Sequence, residues 1–531
     1  MMSNLIHRIP HWIDRVADVA NPILVKETRQ ALKGRQFAVT FILLLTASWI
    51  ISAAYAINSP EAVEYGAVAM ELFFAFYVVL SFAVVVIVPL GAFLSLTSEN
   101  QENTLDLLSI TTLNSGQIVR GKLASTTVQM LVYYSAIAPF MAFTALLNGF
   151  DYVCCFFLLG ITMLASVSGS ILALMMAAVL QNKRLQSLLG MLWLLIVLGF
   201  LLSLYGWFLA LAGLLINQPL MLYGSEFWAN CGALCVATLS YVFLIQQITA
   251  SQLTFESDNR TSGIRCTATI QIVLYIVIGS ALTMYFLPTS IDASDAFALS
   301  IPIQLHVVGI GFFQVTQPDA LSRRVMRKLP ANRLRRLLWI PFLPGGNRGL
   351  LWVVLNLTAL PIALLALSTV YAFDWSRIIH AVCASLAYIV IFLGFSAFLT
   401  RWLLSRFSRS RPLHARVICT ILITSCLILP YIPLLLGLGY SFRAYNPLEI
   451  INPFATVAIL IDERTTYDFL VLPLIAIALL ALAINGRPIY ADFRRIMDVV
   501  PRQPTPDRTP TVVQPSDVAP QPHVSQAEDP S

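Results

Sequence analysis

Residues Ala67–Leu96 read AVAMELFFAFYVVLSFAVVVIVPLGAFLSL, thirty positions with one charge, Glu71. A helix needs about 20 apolar residues to cross a hydrocarbon core of about 30 Å. It also satisfies its own backbone there, as lipid requires. The stretch therefore reads as a transmembrane helix. Working outward from it, eleven more runs of this kind stand between charges. They lie at Phe37–Ile57, Leu123–Leu147, Tyr152–Leu180, Leu188–Ile216, Phe227–Ala250, Ala268–Leu287, Ala296–Val315, Leu350–Tyr371, Ile379–Thr400, Val417–Gly439 and Phe469–Ile484. Leu188–Ile216 is long enough to hold a break or a re-entrant piece, and Phe469–Ile484 is short for a crossing. The composition agrees: 58% of residues are hydrophobic and 11% charged, with mean hydropathy +0.78. A soluble domain carries about 25% charge. A secreted disulfide scaffold, a disordered chain and a single soluble enzyme domain are excluded. The expected fold class is an all-α polytopic membrane protein of about twelve transmembrane helices.

Charge placement tests that count, because cytoplasmic loops collect Lys and Arg. With the N-terminus inside, 30 of the 33 basic residues fall on the inner side and only Arg377, Arg443 and Arg464 fall outside. A missed span would invert every later loop, so both termini are expected in the cytoplasm, with the chain multi-pass in the cell (inner) membrane. The first apolar run, beginning at Phe37 after a charged leader, is long enough to remain as a span rather than a cleaved signal. The net charge of +6 then faces an anionic leaflet. The dense basic loop 316–349 is expected to contact lipid headgroups. No basic, aromatic-interleaved domain stands free of the membrane, so nucleic acid is not an expected partner. The eight cysteines lie in or beside spans and read as reduced packing residues. Cys231 and Cys235 share a helix face, yet no His or carboxylate flanks them at metal spacing, so no metal site is expected.

The segments around the spans carry more information. Residues 499–531 hold eight prolines, the composition of a disordered tail, and the cytoplasmic tail is taken to begin at 486. At the other end, within the leader 1–36, Asn21-Pro22 is a helix-start signal. After it Ile23, Leu24, Thr28, Ala31 and Leu32 form one face, and Lys26, Glu27, Arg29, Gln30, Lys33 and Arg35 fill the rest. This reads as an amphipathic elbow helix in the inner interface. Immediately after the opening stretch, loop 98–116 begins with the carboxylates Glu99, Glu102 and Asp106, which suit a helix N-terminus. Leu105, Leu108 and Thr112 then fall on one side, ahead of a polar Asn-Ser-Gly turn at Asn114–Gly116. A short organised apolar face beside acidic residues reads as a contact for a cytoplasmic protein.

These residues resemble the type-2 permease subunits of ABC (ATP-binding cassette) transporters. That family shows acidic residues, Gly-Thr-Leu-Glu-x-Leu-Leu, a Thr-Thr-Pro-Leu-Ser stretch and Ile-x-x-Gly-Lys before the third span. Thr104, Leu105, Asp106, Leu107, Leu108, Thr111, Leu113, Ile118, Gly121 and Lys122 stand in register with it, with Asn103 for the usual Gly and Thr112 for the usual Pro. The leader from Asn21 and Pro22 through Lys26, Glu27 and Arg29 resembles the family's opening motif. The likeness covers residues 1–250. It implies that 98–116 is a coupling helix received by a separate cytoplasmic ATPase subunit, which binds ATP and magnesium while this chain binds no cofactor. It also implies that substrate crosses between two permease bundles in a homo- or heterodimer.

Gly116-x-x-x-x-Gly121-Lys122 mimics a P-loop, but Leu123 stands where Ser or Thr would hold magnesium and a membrane span follows. No ATPase or other catalytic residue is therefore expected in this chain. Residues 251–485 add six spans, and none of their inner loops repeats the Thr-Leu-Asp-Leu-Leu unit. A fused pair with a degenerate second coupling loop fits. So does a six-span permease, 37–250, with an extension that still dimerises, and the single ATPase contact favours this second arrangement. Asn452-Pro453-Phe454 resembles the family's outer segment before the final helix. Glu71, near the outer end of the second span, reads as a snorkelling carboxylate, and His306, in the eighth, as a bond to a neighbouring helix. They are also the candidate polar contacts for a substrate whose site is otherwise unknown. The scarcity of acids there argues against an ion-coupled twelve-span carrier, which needs titratable residues at mid-membrane. A lipid-modifying enzyme would need clustered acids or histidines at one face, and Asp374, His380, Asp462, Glu463 and Asp468 read as solvated loop charges. The cargo that suits such a chain is apolar, lipid-like or peptide.

Overall fold

The computed structural model describes residues 22–58, 69–101, 114–147, 151–179, 183–217, 222–255, 257–286, 293–371, 378–407, 411–436, 445, 447–462 and 467–498. The proposed coupling residues Glu102, Thr104, Leu105, Asp106, Leu107, Leu108, Thr111 and Leu113 lie outside these, as do Asn21 and the Pro-rich tail. Every regular element among the described residues is helical. A leader helix, α1 (Pro22–Lys33), precedes twelve helices long and apolar enough to cross a membrane. These are α2 (Arg35–Asn58), α3 (Ala69–Glu99), α4 (Ser115–Thr144), α5 (Tyr152–Val179), α6 (Leu195–Asn217) and α7 (Ser225–Leu253). Then follow α8 (Ser262–Phe286), α9 (Asp295–Val315), α10 (Gly346–Ser368), α11 (Ile379–Arg406), α12 (Pro412–Tyr431) and α13 (Asp468–Met497). The protein is thus a helical, multi-pass membrane protein. The long run at 188–216 holds no break: Lys183–Asn217 is one continuous helix. The last span is longer than its apolar stretch because the helix runs on through its basic end to Met497.

An even number of crossings returns the chain to its starting face, and the contacts agree. Side chains from α1, the end of α3 and the start of α4 meet one another. Ser115 at the head of α4 donates to the carbonyl of Leu253 at the foot of α7. This is the face that collects the basic loops, called here the basic face.

The opening stretch is not a uniform α-helix. Pro89 cannot donate to the helix ladder and crowds the turn before it. The backbone widens into a π-turn at Ala83–Ile87, where the Val88 amide reaches back to the Ala83 carbonyl. Ser166 of α5 donates to the Val84 carbonyl at 2.6 Å. Gly169, one turn further along α5, leaves room for the proline ring: a Cβ there would stand 3.2 Å from Pro89 Cγ. One proline thus fixes both the widened turn and the partner helix that supports it.

Each half has its own apolar core. Phe73, Phe76, Tyr77, Leu80, Tyr133, Ile137 and Leu158 centre the first, drawn from α3, α4 and α5. The second half packs around Trp352 of α10, whose indole N–H donates to Thr269 Oγ1 at 2.9 Å. The halves are joined through α7 and α8, where Gln271 donates to Ser240 at 3.1 Å, and through Tyr241 of α7 and His306 of α9.

Candidate functional site

Two clusters of charge are buried at the basic face, one in each half. The first surrounds Lys122, at 4% side-chain exposure. Its Nζ lies 3.0 Å from Glu27 Oε2 of α1, 3.0 Å from Glu99 Oε2 at the foot of α3, and 3.0 Å from Ser95 Oγ. Ser95 in turn donates to Glu27 Oε2 at 3.3 Å. Exposed Lys26 stands 3.8 Å from Glu99 Oε1 and 3.9 Å from Glu27 Oε1. Two carboxylates and two ammonium groups balance, which is the condition under which charge is tolerated away from water. The cluster ties the leader helix to the two helices that bracket segment 102–113.

Two details differ from the sequence reading. The helical pattern put Glu27 on the polar side of α1, but it is buried in line with Ile23 because Lys122 reaches it there. The loop's first carboxylate, Glu99, was expected at a helix N-terminus and instead occupies the last turn of the helix Val88–Gln101. A carboxylate there opposes the helix dipole, and the two lysines offset that penalty. Arg29, also assigned to the elbow, is exposed. Only Pro22, Lys26, Glu27, Arg29 and Glu99 of the proposed elbow and coupling residues fall among the described residues, and Lys26, Glu27 and Glu99 are brought together.

The second cluster was not foreseen. Arg265 of α8 is fully buried and donates to Gln314 Oε1 and to the carbonyls of Pro341, Leu343 and Gly345. Arg348 donates to Asp492 Oδ2 at 2.8 Å and to the carbonyls of Pro344 and Asp319. Arg401 bridges Asn347 Oδ1 and Asn485 Oδ1. Arg336 reaches the carbonyls of Ile496 and Met497 at the end of α13. Loop 316–349 is therefore not all headgroup contact: Arg336 and Arg348 are buried structural residues, whereas Arg323, Arg324, Arg327, Arg333 and Arg335 are exposed. Burial pushes the Asp319 carboxyl above the usual carboxylate range, against the opposing hydrogen bond from the Asn347 amide. The sequence signal was Pro344-Gly345-Gly346-Asn347-Arg348-Gly349 at the head of an apolar run. Gly345 has φ 131°, and a Cβ on Gly346 or Gly349 would stand 2.6 Å from the carbonyl oxygens of Val315 or Gln314.

The remaining candidates fall apart from both clusters. Glu71 is exposed in the first turn of α3, where the helix dipole favours it. His306 is buried at the junction of the halves, its Nδ1 3.2 Å from Tyr241 Oη and its ring edge-on to Tyr241 and Tyr275. His380 Nδ1 and Asp468 Oδ1 are 3.3 Å apart and partly exposed, away from the basic face. The eight cysteines are free, and no group of three potential metal ligands occurs among the described residues. No protein-family model, curated protein or solved structure matches the chain.

Proposed function

We propose that this chain is the membrane subunit of an ATP-driven transporter of the ABC-2 kind. In this reading its basic face lies in the cytoplasm of a cell with the chain in its inner membrane, and a separate ATPase subunit engages segment 98–116. The observation that carries the reading is the buried Lys122–Glu27–Glu99–Ser95 cluster. It joins the leader helix to the ends of α3 and α4, so a push on the segment between them moves three helices together. A passive connector has no need of such a joint. The sequence of that segment, acidic and then apolar, supplies the contact, and the ATPase supplies ATP, magnesium and the catalytic residues. A cargo with an apolar, lipid-like or peptide character suits the scarcity of charge along the spans, and substrate would cross where two permease bundles meet.

The test is to purify the tagged chain from its native membranes and photolabel the preparation with an azido-ATP analogue. The label is expected on a separate, smaller polypeptide, and it is expected to be lost when Glu102 and Leu105 are both changed to Arg. Undiminished labelling of a co-purified subunit in that variant overturns the coupling assignment. Label on the chain itself overturns the division of labour.

A further inference from the structure

Helices α12 and α13 both pack on α11 but make little contact with each other. Between the three and the short 3-10 turn Pro447–Ile451 lies a groove of ≈ 540 Å³, lined by residues such as Phe392, Phe395, Ile423, Cys426, Ile451 and Leu480. Its volume falls within the range of about 300–1,000 Å³ for ligand pockets, and its lining is almost wholly apolar. Along α11 the groove runs from Tyr388 to Phe398. Ten residues of helix rise about 15 Å, half of a hydrocarbon core about 30 Å thick. The groove occupies the half next to the basic face. On α11 its last lining residue, Phe398, is two residues short of the end of the apolar stretch at Thr400. On α12 it begins at Cys419, near the start of that span, and on α13 it ends at Asn485, where the apolar run stops. There Asn485 is already engaged, donating to the carbonyls of Gly394 and Ala481 and accepting from Arg401. Beyond that end, α11 finishes in exposed Arg406 and α12 is preceded by exposed Arg411. Exposed Trp402 lies on α11 one turn before Arg406.

We propose that this groove binds one acyl chain of an anionic phospholipid from the leaflet at the basic face, with the headgroup held by Arg406 and Arg411. Its depth, one leaflet long, fits a single chain hanging from that interface. Arg406 and Arg411 each lie eight residues, about 12 Å of helix, beyond the nearest lining residue of their chain stretch. They lie in the direction of the headgroups, where basic side chains favour a negative headgroup over a zwitterionic one. The lipid fills the space between α12 and α13 that no side chain fills. This inference is independent of what drives transport.

The test uses the full chain in phosphatidylcholine vesicles doped with a phospholipid whose acyl chain carries a diazirine, as phosphatidylglycerol or as phosphatidylcholine. After photolysis, cross-linked peptides are mapped by mass spectrometry. The phosphatidylglycerol probe is expected to label 388–398 and 474–485 severalfold more than the exposed faces of α2 and α7. Cys426→Trp, which fills the groove from its rim, is expected to remove that excess while α2 and α7 label as before. Changing Arg406 and Arg411 together to Gln leaves the groove intact and is expected to equalise the two probes there. Even labelling of all lipid-facing helices, equal labelling of the groove by both probes in the wild-type chain, or an excess untouched by Cys426→Trp would overturn the proposal.

Discussion

Lys122 shows how a residue can be plain in the sequence while its work is not. Its position before the third span placed it in a motif, and the motif named no partner for it. The partners Glu27, Ser95 and Glu99 come from 95, 27 and 23 residues away, and no periodicity within α1 could show that Glu27 turns inward. Removing one member of a buried ion group leaves the others uncompensated and costs about 3–5 kcal/mol. Lys122→Met is therefore expected to lower the thermal midpoint of the purified protein sharply, and adding Glu27→Gln and Glu99→Gln to recover part of the loss. A midpoint unchanged by Lys122→Met would show that the cluster contributes nothing to holding α1. Asp319 gives a second residue-scale expectation. Because its folded carboxyl holds a proton more tightly than in the unfolded chain, its contribution is fully present below the ordinary carboxylate range. It is lost as pH rises through the raised folded value. Stability measured against pH should therefore fall across that window in the wild type and less so in Asp319→Asn, whose amide oxygen can still accept from Asn347.

At the scale of the element, all twelve spans were legible because lipid imposes one rule, a long apolar run between charges. Their internal shape was less so. The π-turn in α3 follows from Pro89, but its support by Ser166 and Gly169 depends on which helix lies beside it. The same is true of Gly349, whose absent side chain lets α10 start against the end of α9. A Cβ at Gly349 meets a backbone oxygen at 2.6 Å, whereas one at Gly279 meets nothing within 4 Å. Gly349→Ala is expected to destabilise by about 1–3 kcal/mol, the usual consequence of overpacking. Gly279→Ala is expected to be neutral or to gain up to about 1 kcal/mol from helix propensity. Thermal unfolding of the two variants side by side checks the contrast, and equal effects would contradict the packing at the α9–α10 junction. The buried arginines of the second half were hidden for a related reason. An arginine that donates to loop carbonyls looks, in sequence, like one that faces a headgroup.

For the whole molecule, the scarce charges carry the expected orientation. The order of the spans assigns 30 of the 33 basic residues to one side, and that side is expected in the cytoplasm. In a cysteine-free background, a single cysteine at Ser322 should react with an impermeant maleimide only after the membrane is opened. One at Asn217 should react in intact cells. The reverse pattern would invert the topology and remove the ATPase contact with it. The transport reading itself rests on segment 98–116, joined to α1 through Lys122. The most direct measurement is the ATP hydrolysis that co-purifies with the tagged chain from its native membranes. Hydrolysis is expected with the wild type and is expected to be lost with the Glu102→Arg, Leu105→Arg pair while the chain keeps its thermal midpoint. Wild-type preparations that hydrolyse no ATP, or a paired variant that hydrolyses it undiminished, would contradict the assignment.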